Sequence, residues 1–231
     1  RASSWSAPDS RFQSGTPYAM SLTDPRIRVL AVDDHAILRE GVAALIESQP
    51  DMELVAEAAT GAEAIELHQR FGPHVTLVDL ALPDMSGVEV IQAIRARTAR
   101  ARFVVLTTFS GDVQALRALK AGATGYLLKS MLRKDLLDTI RTVHAGGKYI
   151  PPEVSIDIAT HAAGEGLSAR EIEVLAWVAE GNSNKLVASR LGITEDTVKN
   201  HMRAILSKLG ASDRTHAVTI AMRRGFLDLR P

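Results

Sequence analysis

The 231-residue sequence contains no cysteine at all. Disulfide bonds and thiolate metal sites are therefore excluded, and a reducing compartment fits the composition. The sequence also lacks any apolar run close to the roughly 20 residues that a membrane-spanning helix needs, and its N-terminus has no hydrophobic signal segment. We therefore expect a soluble, cytoplasmic protein without a membrane partner.

An excess of charge of one sign is missing as well. The chain has 27 basic and 27 acidic residues, which argues against a strongly basic nucleic-acid-binding composition. The balance nevertheless differs along the chain: residues 26–146 carry 14 Lys or Arg against 15 Asp or Glu, whereas residues 167–231 carry 10 against 7. With 46 % hydrophobic residues, the chain has enough apolar side chains for one or two domains.

Residues 1–25 show no hydrophobic periodicity, and we predict a disordered tail or an expression leader there. From residue 26 to residue 146, apolar runs alternate with amphipathic segments. The predicted strands are 27–32, 52–57, 75–79, 103–107 and 124–128, and the predicted helices lie near 36–48, 61–71, 87–98, 112–121 and 133–145. Five such alternations predict an α/β domain with a doubly wound, five-stranded parallel sheet.

The rest of the chain does not continue the alternation of strands and helices. Residues 147–166 contain glycines and a Pro-Pro pair and are predicted to be a linker, in which a short helix could form. Residues 167–231 contain only helical patterns, the first of which opens with a capping box of Ser168 and Glu171. Three further helices are predicted at 183–191, 195–209 and 212–224, so this part is an all-α domain of four helices.

Reactive side chains stand where the predicted strands end: Asp33 and Asp34 after the first strand, Asp79 after the third, Thr107 after the fourth and Lys129 after the fifth. The carboxyl ends of parallel strands meet at one edge of a sheet, where ligands bind. Three carboxylates with no thiol or imidazole cluster suggest Mg²⁺. An Asp beside such an ion can attack phosphorus, while an ammonium and a hydroxyl stabilise the phosphoryl oxygens.

The helix predicted over 195–209 has an apolar face and a polar face. Its apolar positions are Val198, Met202, Ile205, Leu206 and Leu209, and its opposite positions are Lys199, Asn200, Arg203 and Ser207. Ala188 lies four residues before Gly192 in the preceding helix and turn, a spacing that lets two helices cross closely. This predicts a helix-turn-helix whose second helix enters the major groove.

Four segments of the first domain resemble the receiver domain of bacterial two-component response regulators, which has a flavodoxin-like fold: VDDH at 32–35, LVDLALPDMSG at 77–87, LTT at 106–108 and GYLLK at 125–129. The resemblance implies a phosphoacceptor that receives phosphate from a sensor histidine kinase, a Mg²⁺ site and a switch pair. The phosphoacceptor would be Asp79. Asp33 and Asp34, together with Asp79 and the Ala81 carbonyl, would hold Mg²⁺, and Thr107 with Tyr126 would form the switch pair. We assign His35 to the loop, because metal binding would need neighbours that it lacks.

The second domain resembles the LuxR-type output domain through LSAREIEVL at 167–175, EGNSNK at 180–185, TVKNHMRAILSKLG at 197–210 and DRTHAV at 213–218. A receiver joined to this module is typical of NarL/FixJ-family transcription regulators. The resemblance implies base contacts by Lys199, Asn200 and Arg203, and phosphate contacts by Thr197, His201, Asn184 and Lys185. It also implies a homodimer promoted by phosphorylation, double-stranded promoter DNA as ligand and RNA polymerase as partner. For Asn184 and Lys185, a helix-capping residue and a solvated charge are the alternatives.

Two other functions are considered. A Mg²⁺-dependent phosphohydrolase would need a second carboxylate two residues after its nucleophile, and that position is Ala81. The sequence therefore predicts a regulator that is not an enzyme, although it could slowly hydrolyse its own phosphoryl group. Because Phe109 lacks a group that could orient a water molecule, we expect the phosphoryl group to be lost slowly. A regulator that binds DNA independently of phosphate, with the receiver as a dimerisation module, is disfavoured by the complete acceptor site.

Overall fold

A computed structural model describes residues 26–108, 111–161 and 166–227. The predicted tail at 1–25 and Phe109 lie outside these ranges. The described residues form five strands: β1 (Ile27–Val32), β2 (Met52–Ala58), β3 (Val75–Asp79), β4 (Phe103–Thr107) and β5 (Gly125–Leu128). They also form the helices α1 (Ala36–Glu47), α2 (Gly61–Phe71), α3 (Gly87–Arg97), α4 (Asp112–Ala121), α5 (Leu132–His144), α6 (Pro152–His161), α7 (Ala169–Ala179), α8 (Asn184–Leu191), α9 (Glu195–Leu209) and α10 (Arg214–Arg224). No helix in these ranges is both long and apolar enough to cross a membrane.

The strands form one parallel sheet in the order β2-β1-β3-β4-β5. Successive side chains of a strand point to opposite faces, and helices cover both faces here. Leu30, Val78 and Val105 are buried on one face, and their neighbours Leu77 and Val104 are buried on the other. This explains why the strands read as continuous apolar runs, and it confirms the predicted α/β class.

Local capping signals set the starts of several helices. At α7 the capping box is complete, because the Ser168 hydroxyl accepts from the Glu171 N–H while the Glu171 carboxylate accepts from the Ser168 N–H. At α2 only half of the pattern forms: Thr60 caps Glu63, but the Glu63 carboxylate accepts from the N–H of Ala59. Such caps each contribute about 1 kcal/mol.

The segment predicted to be a linker contains α6, which packs on α4. Its Val154 is fully buried in the apolar cluster on the Leu30 face of the sheet. Just before α6, Tyr149 pairs with the edge of β5, where it accepts from the Tyr126 N–H at 2.8 Å. Much of this segment is therefore ordered against the first domain, and the exact domain boundary stays a prediction.

Helices α7 to α10 enclose a separate apolar cluster. The predicted inner face of α9 is confirmed, because Val198, Met202 and Ile205 are buried. Gly192, with a φ of +65°, ends α8 in the left-handed conformation and so allows the tight turn into α9. The turn places α8 and α9 as a helix-turn-helix.

The two domains touch through α4 and α10. Asp112, the first residue of α4, accepts two hydrogen bonds from the Arg224 guanidinium, from Nε at 3.0 Å and from Nη2 at 2.9 Å. Val113 packs against the cluster of the helical domain. A Cβ at Gly111 would clash with the carbonyl oxygens of Arg223 and Arg224, so only glycine fits this close approach.

Candidate functional site

The structure brings together the side chains that the strand ends predicted. Asp33 and Asp79 are buried, with 3 % and 4 % of their surfaces exposed. The Lys129 Nζ lies between them, 2.7 Å from the Asp79 Oδ2 and 2.7 Å from the Asp33 Oδ2. One ammonium therefore compensates two buried carboxylates, which would otherwise repel each other.

This arrangement shifts the acid–base properties of the cluster. Burial raises the pKa of Asp79, and the nearby Asp33 carboxylate adds to the rise, while Lys129 opposes it. Burial disfavours the charged form of Lys129, but its close contacts with the Asp33 and Asp79 carboxylates outweigh that effect and raise the pKa of the ammonium. Lys129 thus stays charged, and it favours the ionised form of Asp79 that a nucleophile needs.

The carboxylates also fit a hard divalent cation. One oxygen each of Asp33, Asp34 and Asp79 lies in a common group whose atoms are all within 4.8 Å of one another. Although the Asp33 Oδ2 is close to the Lys129 ammonium, it is buried without a hydrogen bond of good geometry, so it has a lone pair to offer. Oxygen donors in this number suit Mg²⁺.

His35 lies in the loop before α1, as predicted, but it does not lack neighbours. Its Nδ1 lies 2.7 Å from the Asp34 Oδ1 and 3.1 Å from the Asp33 Oδ1. The sequence signal for these contacts was the position of His35 directly after the two aspartates. Sequence reasoning also missed Arg39, whose guanidinium donates to the Asp33 carbonyl and fixes the start of α1.

The loop after β3 is shaped around the acceptor. The Ala81 N–H donates to the Asp79 Oδ1 at 3.3 Å, and a Cβ at Gly87 would clash with the Asp79 carbonyl. Asp84, which sequence reasoning missed, accepts from the Gly61 and Ala62 N–H groups at 2.8 and 2.9 Å. It thereby ties the loop to the N-terminus of α2. The proposed role of the Ala81 carbonyl as a ligand stays a prediction.

Both residues of the predicted switch pair are buried. Thr107 ends β4, and Tyr126 lies in β5 opposite Val105 with no exposed surface. Burial, followed by the negative charge of Asp79, raises the pKa of the Tyr126 phenol. The role of the pair as a switch stays a prediction.

The polar face predicted for α9 is exposed at Lys199, Asn200 and Arg203. All three side chains have partners within the helix: the Lys199 ammonium lies 3.1 Å from the Asp196 Oδ1, and the Arg203 guanidinium donates to the Asn200 Oδ1 at 2.6 Å.

The residues predicted to contact DNA phosphates lie around this face. Thr197 and His201 are half-buried on α9, whereas Asn184 begins α8 and Lys185 is exposed beside it. The Thr197 hydroxyl shares a hydrogen bond of 2.8 Å with the capping Thr194. Thr197 and His201 therefore lie on the same helix as the exposed face, and Asn184 and Lys185 lie at the start of the other helix of the helix-turn-helix.

A parallel sheet with an acid cluster at its carboxyl edge, joined to a helix-turn-helix, defines the class of two-domain signalling regulators. Residues 29–141 match the model of the response regulator receiver domain, and residues 165–221 match that of the bacterial regulatory proteins of the luxR family. The chain belongs to the NarL/FixJ family of two-component response regulators.

Similar proteins support this assignment. The transcriptional regulatory protein LiaR of Bacillus subtilis is 38 % identical over 205 residues, which cover 85 % of this chain and 97 % of LiaR. The crystal structure of the response regulator ChrA from a heme-sensing two-component system is 34 % identical, with a TM-score of 0.53 and coverage of 87 % and 99 %. RcsB of Salmonella enterica serovar Typhimurium, bound to the promoter P1flhDC with the phosphomimetic BeF₃⁻, is 25 % identical, with a TM-score of 0.67 and coverage of 84 % and 97 %.

Proposed function

We propose that Asp79 accepts a phosphoryl group from a sensor histidine kinase and thereby controls DNA binding by α9. The observation that carries this proposal is the Lys129 ammonium between the buried carboxylates of Asp33 and Asp79. In this arrangement Asp33, Asp34, Asp79 and the Ala81 carbonyl would hold Mg²⁺. Thr107 would hydrogen-bond a phosphoryl oxygen, and Tyr126 would complete the switch.

In the proposed transfer, an Asp79 carboxylate oxygen attacks phosphorus, the new P–O bond forms and the P–N bond to the kinase histidine breaks. The Lys129 ammonium neutralises the phosphoryl oxygens as they arrive. A bound Mg²⁺ would supply further charge neutralisation on those oxygens. Because Lys129 contacts Asp79 in the free protein, transfer requires it to exchange part of that contact for the phosphoryl group.

A groove between α1 and α5, next to the acceptor, fits an apolar surface of the kinase. Leu38, Leu45 and Leu132 line it, and Lys129 lies at its end. Ile37 is 86 % exposed on its rim. Large apolar side chains with this exposure are typical of protein contact sites. We infer that the kinase docks here, because the groove would bring a phosphohistidine close to Asp79.

For DNA, we infer that Lys199, Asn200 and Arg203 read base edges: Lys and Arg suit guanine, and Asn suits adenine. Thr197, His201, Asn184 and Lys185 would contact phosphates, since they lie on the two helices of the helix-turn-helix. The RcsB relative solved on promoter DNA supports DNA as the ligand. A single helix-turn-helix buries little surface, so a phosphorylation-promoted homodimer on paired half-sites is proposed. Promoter DNA and RNA polymerase as partners would place the protein in the cytoplasm.

The test is phosphorylation by acetyl phosphate with Mg²⁺, followed by DNA binding. Asp79→Asn should abolish labelling and the gain in DNA affinity, whereas Asp138→Asn, an exposed carboxylate on α5, should leave both intact. Full labelling of the Asp79 variant would overturn the assignment. DNA affinity that does not change with phosphorylation would favour the receiver as a dimerisation module. Steady turnover of small phosphate esters would favour a phosphohydrolase.

A further inference from the structure

The position of His35 is fixed by its backbone. The residue precedes α1 in an extended conformation, and its N–H donates to the Asp33 Oδ1 at 2.9 Å. The ring turns back on the same aspartates, with its Nδ1 3.1 Å from the Asp33 Oδ1 and 2.7 Å from the Asp34 Oδ1. The imidazole side chain is 67 % exposed, so no core packing holds it there. The carboxylates are what it contacts.

These separations match the spacing of ligands around a small divalent cation. With metal–ligand distances of about 2.1 Å in an octahedral site, adjacent donors lie about 3 Å apart and opposite donors about 4.2 Å apart. The two nitrogen–oxygen separations bracket the adjacent value. The donor group formed by Asp33, Asp34, His35 and Asp79 spans at most 4.8 Å, close to the opposite value. The Nδ1 therefore stands where a neighbouring ligand would stand.

An imidazole changes which metal ions such a site prefers. Mg²⁺ favours oxygen donors and keeps several waters, whereas first-row transition-metal ions gain from a nitrogen ligand. Taking the cation site of the proposed function as its basis, we infer that His35 is an additional ligand through Nδ1. The site then binds Mn²⁺ and the later divalent ions through mixed nitrogen and oxygen donors, and more tightly than Mg²⁺.

The simpler interpretation is that the ring only hydrogen-bonds to the two aspartates. The two interpretations differ in one observable, which is direct coordination of a nitrogen. Mn²⁺ is a suitable probe because its electron spin reports both the amount bound and any ¹⁴N nucleus in its first coordination shell. No phosphorylation is needed for this measurement.

The experiment titrates Mn²⁺ into the full chain, follows the free ion by electron paramagnetic resonance, and records electron spin-echo modulation of the bound ion. We expect ¹⁴N modulation in the wild type and in His216→Gln, an exposed histidine on α10, but not in His35→Gln. We also expect His35→Gln to weaken Mn²⁺ binding about tenfold. Mg²⁺ affinity, measured by competition, should fall less than Mn²⁺ affinity, because Mg²⁺ favours oxygen donors.

The outcomes separate this inference from the proposed function. If Mn²⁺ binds the wild type without ¹⁴N modulation, or binds His35→Gln equally tightly, the inference is wrong while the acceptor site stands. If His35→Gln weakens Mg²⁺ and Mn²⁺ equally, His35 only positions the aspartates and the inference is also wrong. If no divalent ion binds the wild type, the cation site of the proposed function fails as well.

Discussion

The ion pair between Asp112 and Arg224 should hold the two domains together. The change that tests this is Arg224→Met, which keeps the length of the side chain and removes its charge. In the wild type the two side chains are only 8 % and 15 % exposed, and two hydrogen bonds of 2.9 and 3.0 Å join them. Arg224→Met leaves the Asp112 carboxylate buried without this partner.

Breaking a buried pair in this way costs about 3–5 kcal/mol. Asp112 lies at an interface between domains, so separation of α4 from α10 returns the carboxylate to water. The cost should therefore appear mainly as a weaker contact between domains, by a factor of about 10² to 10⁴, while each domain stays folded. Asp112→Asn combined with Arg224→Met should separate the domains less, because no charge is then left unpaired.

The assay uses the absence of cysteine. Cysteines introduced at Glu66 on α2 and Ser207 on α9, both exposed, carry spin labels whose separation is measured by double electron–electron resonance. We expect one narrow distance distribution in the wild type and a broader one in Arg224→Met. Arg223→Met, at the exposed neighbouring arginine, should resemble the wild type. Identical distributions in all three proteins would refute the reasoning.

Three further predictions concern single side chains. Arg203→Ala should cost about 1–3 kcal/mol on a selected operator and less on random DNA, measured by fluorescence anisotropy; equal losses would indicate a phosphate contact. Ile37→Glu should slow phosphotransfer from the kinase at least about tenfold without changing labelling by acetyl phosphate, and a loss of both would place the defect at the acceptor. Asp84→Ala should lower the free energy of unfolding by about 1 kcal/mol in urea titrations at pH 7. Burial opposes ionisation of Asp84, but N–H groups of α2 hold its pKa below the ordinary value. The difference in unfolding free energy between the wild type and Asp84→Ala should therefore vanish as the pH falls through that lowered pKa. A difference that stays constant with pH would exclude the charged cap.

Much of the first domain could be predicted because its signals are local. Strands β1, β3 and β4 begin and end where the apolar runs do, since a strand buried on both faces tolerates few polar residues. Helix α10 begins two residues later than predicted, because the Asp213 carboxylate caps it by accepting from the His216 N–H. The sequence allows a short helix within residues 147–166 but does not require one, since the Pro-Pro pair suggests a break. Pro152 is nonetheless the first residue of α6, where a proline is tolerated.

The acceptor cluster was also predictable, because the end of a parallel strand is a fixed place in the fold. The contacts that Asp84 and His35 add around the cluster could not be predicted. Asp84 caps a helix that begins 23 residues earlier, and a carboxylate in a loop looks the same in sequence whether or not it does so. His35 could have been found from its adjacency to Asp33 and Asp34, but a histidine three residues past a strand end normally points to solvent.

The contact between domains had no sequence signal, since 112 residues separate Asp112 from Arg224. Its position nevertheless has a consequence for coupling. Thr107 ends β4 at the acceptor site, and only residues 108–111 separate it from Asp112, which begins α4 and binds Arg224. Gly111 approaches the carbonyl oxygens at the end of α10 too closely to accept a side chain. Packed contacts of this kind shift between discrete arrangements rather than stretch. We therefore expect a displacement of Thr107 toward a phosphoryl group to change the contact between Asp112 and Arg224.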